Sequence, residues 1–150
     1  MLVELDAYLY KSYPVDEFPP EINHILDPQA LMHSSVTFVA AWAASEDGEA
    51  LGCGAMRRMA DEAGTYGEIK RMFVKPEARG HRIAEKILYE LDTVARSEGI
   101  ERLVLETGVR QPEAIRLYER CGYTVRGSFG GYSDDFVSVF MEKRLAEKAL

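Results

Sequence analysis

Cysteine, basic charge and long apolar runs are scarce in this chain. Its only cysteines are Cys53 and Cys121, too few for a disulfide scaffold or for a cysteine-built zinc site. His24 and His33 have no Cys or His partner at ligand spacing, so no metal site is expected. Lys and Arg number 18 against 25 Asp and Glu, a net charge of −7. An acidic chain is poorly matched to nucleic acid, which calls for a basic stripe. No run of about 18 apolar residues is present, so no membrane span is expected. The opening Met1-Leu2-Val3-Glu4-Leu5-Asp6 has neither a basic start nor a cleavable apolar stretch, which argues against a signal peptide and for a cytoplasmic setting. What remains is ordinary for a globular chain. The 150 residues are 47% hydrophobic and 29% charged, enough for one domain with a real core.

Leu2, Leu5, Leu9 and Tyr13 repeat at helical spacing, predicting a short amphipathic helix over 2–13 stopped by Pro14. Residues 14–26, with three prolines and Asp16, Glu17 and Glu21, read as an acidic loop. Asp27-Pro28 is a cap followed by proline, the start of a short helix ending near His33-Ser34-Ser35. The β-branched and aromatic run 36–44, a turn at Glu46-Asp47-Gly48-Glu49 and the stretch 50–59 predict a hairpin. A polar turn at 60–65 leads to a third strand over 66–74, stopped by Lys75-Pro76. Residues 83–98 form the clearest helix, with Ile83, Ala84, Ile87, Leu88, Leu91, Val94 and Ala95 on one face and Gly99 as its stop. Leu103-Val104-Leu105 reads as a buried strand. Pro112 opens a second helix whose face carries Ala114, Leu117, Tyr118 and Cys121, and late strands fall near 123–128 and 136–143. Strands and helices alternate over 66–128, which argues for a parallel pair inside a mixed sheet.

The most informative stretch is Val74-Lys75-Pro76-Glu77-Ala78-Arg79-Gly80-His81-Arg82-Ile83-Ala84. A strand ends, a glycine turns the chain and a long helix begins. Free backbone N–H groups backed by the helix dipole make an anion site there, and Arg79, His81 and Arg82 add positive charge. The motif lacks the Gly-Lys-Ser/Thr ending of a nucleoside-triphosphate loop and the glycines of a dinucleotide fingerprint. A phosphate-bearing ligand is one reading, and a solvated basic turn is the other.

Arg79-Gly80-His81-Arg82-Ile83-Ala84, taken with the later stretch Gln111 through Tyr123, resembles the GNAT superfamily of acetyl-CoA-dependent N-acetyltransferases. The family's patterns are Gln/Arg-x-x-Gly-x-Gly/Ala and Asn-x-x-Ala-x-x-Leu-Tyr-x-x-x-Gly-Phe, and the resemblance spans roughly 36–143. Arg82 stands where the family has glycine, and Gln111 where it has asparagine. The family's first strand is not visible, which leaves the sheet one strand short or its edge covered by a partner chain.

The resemblance implies an α/β (α+β) fold, a mixed and mostly antiparallel twisted sheet with splayed parallel strands, flanked by helices. It implies acetyl-CoA as co-substrate, with Met72, Phe73 and Val74 along pantetheine, the backbone of Arg79, Gly80, His81, Arg82, Ile83 and Ala84 at the pyrophosphate, and Gln111 within reach. A backbone N–H at Met72 or Phe73 would meet the developing oxyanion. Tyr118 matches the family's tyrosine near the thiol, where a phenol can donate to the leaving sulfur; the alternative is a packed aromatic. Glu68 and Glu106 are rival general bases, Glu68 being also readable as a strand carboxylate paired with Lys70 or Arg71 and Glu106 as a group that binds the amine. Cys53 and Cys121 read as buried thiols rather than nucleophiles. Asp16, Glu17, Glu21, Asp134 and Asp135 read as solvated charge; in the family these segments flank the acceptor entrance and would favour a cationic amine.

The implied activity is direct acetyl transfer to a primary amine: a small amine, an amino acid, or a protein N-terminus or lysine. Dimers are common in the family, so a homodimer is an implied partner. A non-catalytic acyl-CoA-binding or regulatory module would keep the anion loop without the base and Tyr118. An interaction domain would explain the unseen first strand but not the loop.

Overall fold

A computed structural model describes residues 29–45 and 48–145. The helix expected over 2–13, the acidic loop after it, the question of a first strand and part of the hairpin turn lie outside the described residues. The strands are β1 (Val36–Trp42), β2 (Ala50–Asp61), β3 (Gly64–Val74), β4 (Arg102–Gly108), β5 (Thr124–Arg126) and β6 (Ser138–Arg144), and the helices are α1 (Ile83–Ser97) and α2 (Pro112–Arg120). The short helix expected before β1 is a single 3-10 turn, Ala30–Met32.

One six-stranded sheet runs in the order β1-β2-β3-β4-β6-β5. All pairings are antiparallel except β3 with β4, as the strand-helix-strand passage through α1 requires. Side chains alternate across each strand and sort the core into two layers. On the helix face, Met56, Ile69, Leu103, Leu105 and Met141 pack with Ile87, Leu88 and Leu91 of α1. On the opposite face, Tyr66, Val104, Phe129 and Phe140 form a smaller aromatic cluster. α1 buries most of the stripe read from its sequence, and it also buries Asp92 at 4% exposure. That carboxylate meets Lys143 at 2.5 Å, which compensates the charge. The second helix is less buried than its face predicts: only Tyr118 is buried, and Cys121 is half-buried rather than sequestered.

Two irregularities position the site. The β3–β4 ladder covers only Gly67↔Leu103, Glu68↔Val104 and Ile69↔Leu105; β3 continues to Val74, while β4 continues to Gly108 paired with β6. Just beyond the last parallel pair, β3 bulges. Cys53 faces Phe73 but Ala55 faces Lys70, so Arg71 and Met72 together oppose Gly54. Arg71 takes φ 57° there, and its carbonyl accepts the buried Cys53 thiol at 3.3 Å. Gly54 has to be glycine: a Cβ would collide with the Met72 sulfur and with Ile87 of α1.

Candidate active site

The anion loop has the order its sequence suggests. β3 ends at Val74, a 3-10 turn spans Pro76–Ala78, and α1 begins at Ile83. Gly80 has φ 88°, and a Cβ on it would meet nothing within 4 Å, so the loop is open on that side and glycine serves backbone conformation rather than space. Arg82, the N-cap of α1, sits at φ 59° and ψ 29° with no side-chain cap bond. The arginine therefore adopts the left-handed backbone region that favours glycine. Residues 79–82 are exposed. Arg79 Nε donates to the Val74 carbonyl at 3.1 Å, and His81 Nδ1 lies 3.2 Å from the Ala78 carbonyl. These two side chains brace the loop, and the first N–H groups of α1 remain its anion donors.

Met72, Phe73 and Val74 lie on β3 beyond the last parallel pair, on the same strand that feeds the loop. Gln111 is the N-cap of α2, and its side chain makes no cap bond. Tyr118 is 7% exposed, with its ring edge-to-face on Tyr123 at 5.7 Å. Burial pushes its phenol well above the ordinary range, so the hydroxyl keeps its hydrogen at any working pH.

Glu68 stands on the sheet face away from α1, 1% exposed. The expected partnership with Lys70 is present at 3.7 Å, but the main partner is Arg57, directly across on β2, whose Nη2 reaches Glu68 Oε1 at 2.6 Å. Arg71, the other expected partner, is taken up in the bulge. Glu68 Oε2 has no hydrogen bond. Glu106 is half-buried, the first β4 residue past the last parallel pair. Lys70 lies near both carboxylates: burial lowers its ammonium below the usual lysine range, and the charges of Glu68 and Glu106 oppose that shift. Lys70 Nζ also donates to the Tyr132 hydroxyl at 3.0 Å. Burial raises the Tyr132 phenol, and Glu68 adds to the rise.

Glu68, Arg57 and Tyr132 border a cavity of about 650 Å³ lined by Arg57, Met59, Tyr66, Glu68 and the loop 129–135. Asp134 and Asp135 are in that lining; Asp16, Glu17 and Glu21 lie outside the described residues. Arg57, Tyr132 and the bulge at Arg71 were not foreseen from the sequence. Strand pairing puts Arg57 opposite Glu68, and no local pattern announces it. The Gly130-Gly131 pair beside Tyr132 was the only signal for that loop.

A sheet split open at β3 and β4 and an anion loop on the same strand are the geometry that the resemblance implied, and the bulge at the split adds to it. Residues 3–123 match the model of the acetyltransferase (GNAT) family. The chain belongs to the GNAT acetyltransferase family. Its relatives include the IAA acetyltransferase of Azospirillum brasilense, 43% identical over 97% of this chain and 88% of that protein. An uncharacterized N-acetyltransferase of Bacillus subtilis is 36% identical over 85% of this chain and 82% of its own length. A solved structure from Klebsiella pneumoniae, assigned to the acyl-CoA N-acyltransferases, superposes with a TM-score of 0.73 at 37% identity, covering 97% of this chain and 87% of that one. The PaiA N-acetyltransferase of Thermoplasma acidophilum, solved with coenzyme A, shares the fold with a TM-score of 0.63 at 20% identity, over 94% and 77% of the two chains. The GNAT family uses acetyl-CoA as its acyl donor. The residues present fit that donor: an open loop at a helix start for phosphates, and strand backbone beyond the last parallel pair for an extended arm.

Proposed function

We propose that this GNAT chain catalyses direct transfer of the acetyl group of acetyl-CoA to a primary amine where β3 and β4 part. The observation that carries the reading is the end of the parallel ladder after three registers, immediately before the bulge and the anion loop on one strand. The donor supplies a thioester-activated acetyl carbon and a thiolate leaving group. The backbone of 79–84 holds the phosphates, with Arg82 adding charge. Met72, Phe73 and Val74 lie along the pantetheine arm, and Gln111 borders it. The bulge takes Met72 out of regular pairing, which supports its N–H as the oxyanion donor. Tyr118 donates its hydroxyl hydrogen to the departing sulfur.

Of the two carboxylates, Glu106 is the better base. Glu68 is fully buried and committed to Arg57, while Glu106 is half-buried beside the split. Glu106 takes the proton from the acceptor ammonium, the free amine forms the new C–N bond as the C–S bond breaks, and the nitrogen's remaining surplus proton returns to Tyr118, so that coenzyme A leaves as the thiol. Direct transfer suits the cysteines: burial pushes the Cys53 thiol up to about 11 and also raises Cys121, leaving neither a ready thiolate. The amine enters from the 650 Å³ cavity.

The test is thiol release from acetyl-CoA against a panel of amines, with acetylated product identified by mass. Release matched one-to-one by product supports the reading. Tight coenzyme A binding without turnover of any amine supports a non-catalytic acyl-CoA-binding module instead.

A further inference from the structure

The cavity wall says what kind of amine fits, given the acceptor role proposed above. Its polar groups are largely engaged within the protein. Glu68 and Arg57 neutralise one another at 2.6 Å. Asp135 accepts the Val137 and Ser138 N–H groups at 2.9 and 2.7 Å on one oxygen, and the Ser138 hydroxyl at 2.9 Å on the other. Asp134 is exposed at the rim, and its Oδ1 accepts the Ser128 N–H at 3.3 Å. Glu68 Oε2 is buried and has no hydrogen bond, with Lys70 Nζ 3.7 Å away. The two late-loop carboxylates keep their charge and also shape the loop.

Beside these groups, Ser133 and the Gly130-Gly131 backbone, the wall carries apolar side chains. Tyr66, Phe129 and Tyr132 contribute rings and Met59 a thioether. Phe129 stands edge-on to Tyr66 at 6.3 Å, to Tyr132 at 5.3 Å and to Phe140 at 5.5 Å, so the rings brace one another as a rigid surface. A pocket with aromatic side chains in its wall recognises an apolar body. We infer that the acceptor is a primary amine carried on an aromatic or similarly bulky apolar group.

The experiment compares 2-phenylethylamine, ethylamine and spermidine at saturating acetyl-CoA. The expected result is a kcat/KM for 2-phenylethylamine at least about tenfold above either of the others, the scale on which a pocket discriminates a buried apolar group. Met59→Ala, at a half-buried position, and Phe129→Ala are each expected to cut that value about tenfold. Both should leave the KM for acetyl-CoA unchanged and narrow the preference over ethylamine. Because Phe129→Ala removes a core ring, Met59→Ala decides the matter if the former fails to fold. Equal or better turnover of ethylamine or spermidine overturns this inference and leaves amine acetylation standing. Failure of every amine while coenzyme A still binds overturns both.

Discussion

Arg82 offers a perturbation in which backbone and charge pull apart. It caps α1 at φ 59°, where a residue with a Cβ pays about 1–2 kcal/mol. Glycine would remove that strain but give back about 0.4–1 kcal/mol through the greater freedom of the unfolded chain. The balance favours Arg82→Gly by about 0.7 kcal/mol, a Tm rise of roughly 2 °C for a chain of this length. Alanine keeps the strained backbone and should leave Tm within about 1 °C. Both variants lose the guanidinium, and at an exposed position its charge-assisted contacts with phosphate are worth about tenfold in affinity. Calorimetric Kd values for coenzyme A should therefore rise about tenfold in both variants, with a shallower salt dependence, while thermal scans separate them. A lower Tm in Arg82→Gly would refute the strain argument. An unchanged Kd in both would show that Arg82 only faces solvent.

Tyr118→Phe keeps the packed ring and removes the hydroxyl; kcat should fall about 10²–10⁴-fold with acetyl-CoA affinity unchanged, whereas wild-type turnover would return Tyr118 to a core aromatic. Glu106→Gln should lower kcat and erase the acidic limb of the pH–rate profile, measured at saturating acetyl-CoA. Glu68→Gln should instead lower Tm, because it leaves Arg57 without its ion partner; the reverse pattern would make Glu68 the base. Stability should hold from neutral pH to about pH 9 and fall above it. Cys53, raised to about 11 in the folded chain, and the raised phenols of Tyr118, Tyr123 and Tyr132 keep protons that the unfolded chain releases from about pH 9–10 upward. Urea midpoints at pH 8 and 10.5 check this, and equal midpoints would contradict it.

Much of the described fold was legible because its signals are local. The apolar stripe of 83–97, Pro76 after β3, Pro112 at the head of α2 and the glycines after both helices each act within a few residues. The anion loop was legible for the same reason, since strand, glycine and helix start are consecutive. The Arg57–Glu68 pair was not, because it depends on the register of β2 against β3 across eleven residues. Nor was the bulge: Arg71 is an ordinary arginine in a strand, and its left-handed backbone sits opposite Gly54, a glycine of another strand. Asp92 lay on an apolar helix face, and its partner Lys143 is 51 residues away. The cavity wall joins β2, β3 and a loop near residue 130, a meeting that only the folded sheet brings about.

The central claim is that the split between β3 and β4, with the start of α1, holds the acyl donor. Titration of the isotopically labelled chain with coenzyme A, followed at backbone amides, tests it most directly. The account predicts saturable shifts concentrated at residues 72–74 and 79–84, with those of Gly80, Ile83 and Ala84 moving most. Saturable shifts elsewhere, with the start of α1 unmoved, would contradict it.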